Sequence, residues 1–370
     1  MSPNHTPIVD TEHDLELTER IIAPDGTRQP NPQLDAHVAD LDPQLLRDLH
    51  RDMVVLRRID AEGVALQRQG QLGLWAPCNG QEAAQIGTAR ALAPQDFVFP
   101  SYRETGVMHV RGAEPGDYVR MWRGEDGAAY DPERLRMAPL QIIIGAQTLH
   151  AVGYAMGIAH DRADEVAVTY FGDGATSQGD VNEAMVFASS FRAPVVFICQ
   201  NNHWAISEPV GLQSQYPLAG RAPGFGIPSM RVDGNDVVAC LAAMRWALEH
   251  ARSGKGPAYL ELVTYRMGPH TTADDPKRYR EDAELEQWRR RDPITRLEAY
   301  LRAGGEFTEE HQDAVQAEAD RVAREMRAAC LGMVTRPPLA VFDGVYAEPH
   351  TGLERERAEY AAYLATFEEA

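Results

Sequence analysis

The sequence predicts an α/β protein, with a largely parallel sheet flanked by helices and a helical C-terminal extension. Three observations carry that prediction. Candidate strands and helices alternate between about residues 97 and 264, the order that builds a parallel sheet. Val181, Ala184, Met185 and Ala188 recur at i, i+3, i+4 and i+7 between two apolar runs, the stripe a crossover helix needs to pack on a sheet. The length of 370 residues, with 44% hydrophobic and 25% charged, suffices for one large α/β domain with extensions or for two domains.

Residues 1 to about 40 are rich in Pro, Asp, Asn and Thr without a sustained period, and read as an N-terminal arm that needs another surface to order it. Asp42-Pro43 supplies a helix cap with proline at the first helical position, and Leu45, Leu46, Leu49, Met53, Val54 and Leu56 carry an amphipathic run towards Gly70. A turn-rich stretch (Gly70, Gly73, Pro77, Gly80) leads to a short helix from about Gln81 to Leu92 and a strand at Phe97 to Phe99. Polar residues 113–138 predict a loop with short helices. From Gln147 to His160 a helix is expected, its small residues Ala151, Gly153, Ala155, Gly157 and Ala159 forming a slim face for close packing. The central unit is a strand at Val166 to Phe171, a turn at Gly172 to Gln178, a helix at Gly179 to Phe191 and a strand at Pro194 to Cys199. Strands at Met230 to Val232 and Ala258 to Thr264 flank a helix from Val237 to Arg252. A charged loop, Met267 to Glu281, then precedes helices at Ala283 to Ala303 and Glu309 to Ala329. The expected organisation is an arm at 1–40, an α/β domain at 41–280 and a mainly helical extension at 281–370.

Composition removes several function classes. With 55 acidic and 36 basic residues the net charge is −19, which repels nucleic acid and anionic membrane. The longest basic run, Arg289 to Arg291, reads as a solvated helix face. Cys78, Cys199, Cys240 and Cys330 are too far apart for a CxxC pair and too few for a disulfide framework. The N-terminus lacks the charged and apolar regions of a secretion signal, and no stretch approaches about 18 uninterrupted apolar residues. A reduced, cytoplasmic protein is expected.

The chemistry concentrates at one sheet edge. A right-handed strand-helix-strand crossover puts the loops after both strands at the same carboxyl end, and here they read Gly172-Asp173-Gly174-Ala175 and Gln200-Asn201-Asn202. The glycines permit a tight turn and let backbone amides at the following helix N-terminus face a phosphate. Asp173 would repel a diphosphate unless a divalent cation lay between them, and with the Asn202 amide it offers two oxygen ligands of the kind Mg²⁺ takes. A dinucleotide-binding turn is the first rival; it lacks its third glycine, replaced by Ser177, and the acidic ribose ligand at the end of the next strand. A turn with an ordinary Asp cap is the second.

Gly172-Asp173-Gly174 followed, after residues 175–200, by Asn201-Asn202 resembles the thiamine diphosphate (ThDP) fingerprint. The chain from about Leu45 onward is similar to α subunits of the E1 component of 2-oxo acid dehydrogenase complexes. Matching stretches are Gly80 to Ala83, Ser101 to Glu104, Ile144 to Gln147, Gly172 to Asp180, Asn201 to Ser207 and Tyr265 to Asp275. The resemblance implies the thiamin diphosphate-binding fold and a Mg²⁺ held by Asp173, Asn202 and the Trp204 carbonyl. It also implies diphosphate contacts from Tyr102, Arg103 and Arg266, and further cofactor contacts from Ile142, Ile144 and Ile206. His270 matches the active-site histidine, in a loop mobile until cofactor binds, and Thr271 stands where relatives carry a regulatory phosphorylation serine.

That resemblance implies oxidative decarboxylation of a 2-oxo acid and reductive acylation of the lipoyl group of an E2 partner, with E3 completing the complex. The glutamate that activates ThDP belongs to the β subunit, so an obligate α2β2 heterotetramer is expected. For the substrate, Gln141 to Gln147 resembles bacterial pyruvate enzymes and tips the expectation slightly to pyruvate. Leu149 to Gly153 and the loop around His270 also resemble branched-chain 2-oxo acid enzymes, and an aromatic 2-oxo acid is a further alternative. A catalytically silent interaction subunit, or a nucleotide-dependent oxidoreductase, would be the reading from another class.

Overall fold

A computed structural model describes residues 18–125 and 129–368. Its centre is a five-stranded sheet of β1 (Phe97–Phe99), β2 (Ala167–Gly172), β3 (Val195–Asn201), β4 (Ser229–Asp233) and β5 (Ala258–Val263). The spatial order is β1-β2-β3-β5-β4 and every pairing is parallel. Both faces are covered, so the strands read as near-continuous apolar runs: every residue of β3 and β5 is buried.

Helix α1 (Pro43–Arg68) starts where Asp42 accepts a hydrogen bond from the Leu45 amide at 2.7 Å. Helix α2 (Glu82–Ala89) is buried along its whole length, which eight residues rich in Ala and Gly allow. A Cβ on Gly87 would stand 2.6 Å from the Val237 carbonyl, so α2 lies directly against α5 (Val237–His250). The turn before α2 needs Gly80 for two reasons: its φ is +96°, and an added Cβ would meet the Tyr265 carbonyl at 2.2 Å. Replacing Gly80 with alanine combines a left-handed backbone penalty with overpacking, so a loss of about 2–4 kcal/mol is expected, read as a lower thermal midpoint.

Helix α3 (Ala146–Asp161) and α4 (Gly179–Phe191) cover one face of the sheet. The slim face expected on α3 is divided. Ala151 and Ala155 are fully buried, whereas Gly153, Gly157 and Ala159 are exposed, and an added Cβ on either glycine would meet nothing within 4 Å. The expected helix over 283–303 is two, α6 (Asp282–Arg289) and α7 (Pro293–Ala303). Pro293 cannot continue a helix, and Asp292 caps the next by accepting from the Ile294 and Thr295 amides, both at 3.0 Å. Arg296 of α7 donates through Nη1 and Nη2 to Asp233 Oδ2 at the end of β4, a buried ion pair.

The N-terminal arm differs most from expectation. Residues 1–17 lie outside the described residues. From Thr18 on, the chain orders on its own sheet edge: the Glu19 amide donates to the Arg231 carbonyl at 2.8 Å, and Ile21 and Ile22 are buried. Asp236 explains the attachment, since Oδ2 accepts from the Ile21 and Ile22 amides while Oδ1 caps α5. One compact unit runs through α8 (Glu309–Gly332) to Leu331, and a second begins at Gly332. The second contains α9 (Thr351–Glu368), with Phe342 against Tyr360 and Arg357 paired to Asp343 at 2.7 Å. Among the described residues no helix is long and apolar enough to cross a membrane.

Candidate active site

Because all five strands run parallel, the loops leaving β1, β2, β3 and β5 converge at one edge, where they line a cavity of about 230 Å³. The loop after β1 contributes Ser101, Tyr102, Arg103 and Glu104; that after β2, Gly172 to Ala175; that after β3, Asn202 and Trp204 to Ile206; that after β5, His270.

Asp173 is one of two buried carboxylates lining this cavity, 1% exposed. Its Oδ2 accepts from Gln213 Nε2 at 3.1 Å, and burial raises its carboxyl pKa above the ordinary range. An uncompensated carboxylate so placed is costly, and a cation removes that cost. The turn expected between β2 and α4 is present, but the N-terminus of α4 does not line the cavity. A 3₁₀ segment, Asp173–Ser177, intervenes before α4, and the helix N-terminus on the cavity wall is that of α3, at Gly145. A Cβ on Gly174 would stand 2.7 Å from Ala205 Cβ. For Gly174→Ala we expect a displaced Ala205 turn, about 1–3 kcal/mol of strain, and a drop of up to tenfold in ThDP affinity, measured by cofactor titration.

The two asparagines divide their work. Asn201 is structural: Nδ2 donates to Glu261 Oε1 at 2.8 Å and Oδ1 accepts from the His203 amide at 3.2 Å. Asn202 faces the cavity, donating through Nδ2 to Gln81 Oε1 at 3.1 Å, with Oδ1 accepting from the Trp204 amide at 3.3 Å. His203 and Ile206 have φ of +70° and +57°, and such a backbone is strained for a β-branched isoleucine. This tight loop leaves the Trp204 carbonyl accepting from Arg266 Nη1 at 3.1 Å, with its second lone pair available.

Arg266 is therefore not a wall residue. It is fully buried, and Nη2 donates to the Ile206 carbonyl and the Tyr279 hydroxyl, both at 2.8 Å; burial and nearby Arg103 hold its pKa down to about 10. Its guanidinium grips the loop that carries the Trp204 carbonyl, donating to the carbonyls of both Trp204 and Ile206. Arg103 is likewise engaged, donating through Nη1 to the Pro77 carbonyl and through Nη2 to the His270 carbonyl at 3.0 Å and His270 Nδ1 at 3.2 Å. Burial, then Arg103 and Arg266, hold the His270 pKa down to about 4, so the ring is neutral at pH 7. With Nδ1 accepting from Arg103, its proton sits on Nε2.

The loop carrying His270 is held by several hydrogen bonds to its own chain. The His270 amide donates to Asp274 Oδ2 at 2.8 Å, Thr272 exchanges hydrogen bonds with the Trp75 backbone, and Arg280 donates to the Arg266, Met267 and Gly268 carbonyls. The three expected isoleucine contacts separate: Ile144 and Ile206 line the cavity, whereas Ile142 is 54% exposed and is not part of its lining. Gln81, Glu104, Gln147 and Gln200 also line the cavity, although sequence reasoning assigns them no role of their own. Glu104 is buried and accepts from Gln200 Nε2 at 2.7 Å and Ser101 Oγ at 2.9 Å. Gln81 Nε2, Gln147 Oε1 and Gln200 Oε1 are buried without partners. Each lies inside a stretch already recognised, so membership of that stretch was the available signal.

Three orphaned polar atoms on residues lining one cavity mark it as built to be completed by a polar group. Donors from Asp173, Asn202 and the Trp204 carbonyl are all hard oxygens, the set Mg²⁺ prefers. The family of dehydrogenase E1 components matches residues 50–329. The chain belongs to that family. It is similar to the 3-methyl-2-oxobutanoate dehydrogenase subunit alpha of Mycobacterium tuberculosis (strain CDC 1551 / Oshkosh), 47% identical over 353 residues, 95% of each chain. It is also similar to pyruvate dehydrogenase E1 component α subunits: that of Acholeplasma laidlawii is 38% identical over 87% of this chain and 94% of its own, and that of Bacillus subtilis (strain 168) 40% over 77% of each. The E1 family is ThDP-dependent, and an E1 α subunit works with a β subunit in a 2-oxo acid dehydrogenase complex.

Proposed function

We propose that this E1 α subunit joins β subunits in an α2β2 heterotetramer that decarboxylates 3-methyl-2-oxobutanoate and passes the acyl group to the lipoyl group of E2, with E3 completing the cycle. The observation that carries the site is the meeting of Asp173, Asn202, the Trp204 carbonyl and a neutral His270 around one cavity. The substrate rests on a relative similar along nearly the whole chain. Pyruvate is the second reading, supported by the Gln141 to Gln147 stretch and by relatives named for pyruvate.

ThDP supplies, when bound, the electron sink that decarboxylation of a 2-oxo acid requires. Asp173, Asn202 and the Trp204 carbonyl would hold Mg²⁺ against its diphosphate, and Tyr102 and Arg103 would face the phosphates. Arg266 would act one step back, fixing the Trp204 carbonyl. Gly172, Gly174 and Ala175 keep the loop after β2 thin enough for that approach. His270 Nε2–H would donate to the substrate carboxylate or the incoming lipoyl group, oriented by Arg103 on its other nitrogen. Ile142, Ile143, Ile144 and Ile206 are all exposed, a suitable apolar rim for the β subunit to cover.

The test is decarboxylation by the chain copurified with its β subunit, with ThDP and Mg²⁺, across 3-methyl-2-oxobutanoate, pyruvate, 4-methyl-2-oxopentanoate and phenylpyruvate. The highest kcat/KM is expected for 3-methyl-2-oxobutanoate. A higher value for pyruvate would establish the second reading, and inactivity of a ThDP-loaded complex on all four would refute both.

A further inference from the structure

Gln81 carries no role so far, yet it is fully buried and lines the cavity. Its backbone is fixed at the start of α2, the amide donating to the Cys78 carbonyl at 2.9 Å and the carbonyl accepting from the Gln85 amide at 3.2 Å. Its side chain does two things. Oε1 accepts from Asn202 Nδ2 at 3.1 Å, and Nε2 is left buried without a partner.

The Asn202 amide is nearly symmetric in shape, with opposite chemistry at its two ends: an oxygen acceptor and a nitrogen donor. A cation can use only the oxygen. One end is marked by the Trp204 amide at 3.3 Å, a long contact, and the other by Gln81 at 3.1 Å. Were Gln81 turned the other way, its nitrogen would compete for the Asn202 oxygen. We propose that Gln81 is a positioning residue that sets the Asn202 amide with its oxygen available to the metal. This inference rests on the reading of Asp173, Asn202 and the Trp204 carbonyl as metal ligands. Residues that orient metal ligands typically contribute roughly 10–100-fold to metal affinity.

The experiment measures Mn²⁺ binding to the complex of this chain with its β subunit, in saturating ThDP, from the EPR signal of free Mn²⁺. Gln81→Met keeps the side-chain length and removes the acceptor; its Kd for Mn²⁺ is expected to rise roughly 10–100-fold. Gln81→Glu keeps the acceptor and should bind Mn²⁺ at least as tightly as wild type. The reverse order, with Met like wild type and Glu weakened, means that Gln81 only fills space and overturns the proposal. Should Gln81→Met fail to assemble, Gln81→Glu decides alone, and a loss of tenfold or more overturns it. Asp173→Asn separates the two levels: wild-type Mn²⁺ affinity in that variant defeats the metal reading itself, whereas loss there with no effect at Gln81 defeats only the role of Gln81.

Discussion

Asp173→Ala should abolish metal-dependent ThDP binding, raising the cofactor Kd by roughly a thousandfold or more, about 4 kcal/mol. The same substitution should leave the cofactor-free complex as stable as wild type or slightly more so. The carboxylate is buried, its one hydrogen-bonding side-chain partner is Gln213, and its pKa is raised by burial. A group whose carboxyl pKa is raised on folding binds its proton more tightly in the folded state. The cofactor-free protein therefore gains stability as pH falls towards that range and loses it as pH rises above. Removing the carboxylate should remove that slope. Cofactor titration and a series of thermal midpoints against pH check the two halves separately; unchanged ThDP affinity would remove the assignment of Asp173 to the metal.

His270→Ala should retain ThDP binding and lose roughly 10²–10⁴-fold in acyl transfer to the lipoyl group, about 3–5 kcal/mol of transition-state stabilisation. The pH dependence gives a second signature. Since the folded pKa lies near 4 and an ordinary histidine titrates near 6.5, the ring stays neutral throughout pH 5–8. Activity should show no step near pH 6.5 attributable to this residue. Arg103→Met should move the titration of the ring upward from about 4 without bringing it to 6.5, because it removes one of the two cations that depress the pKa and leaves the burial, the larger cause, in place. Steady-state assays with lipoylated E2, wild type beside the two variants, read both effects.

The sheet and its crossover were legible because their signals are local. The 3.6-residue stripe of α4 and the apolar runs of β2 and β3 each lie within one short window. The metal set was legible for a different reason: a carboxylate placed where a diphosphate would lie requires a cation, and a nearby amide supplies its second ligand. What was not legible depends on contacts between distant parts of the chain. Nothing in residues 18–22 signals that the Asp236 carboxylate will take up the Ile21 and Ile22 amides. The division of Gly153 and Gly157 from Ala151 and Ala155 depends on which side of α3 meets the sheet, and small residues on both sides conceal it. Arg266 was placed on the diphosphate by the resemblance alone. Its burial beneath the Trp204 loop follows from the turn at His203 to Ile206, whose positive φ values no apolar pattern encodes.

The central claim is that this chain alone supplies the protein ligands of the metal. The most direct measurement is the anomalous scattering of Mn²⁺ in crystals of the α and β subunits grown with ThDP. A single strong peak within coordination distance, about 2.0–2.3 Å, of an Asp173 carboxylate oxygen, Asn202 Oδ1 and the Trp204 carbonyl oxygen is the result expected. A peak coordinated by other side chains, or ThDP bound with its diphosphate away from Asp173, would contradict it.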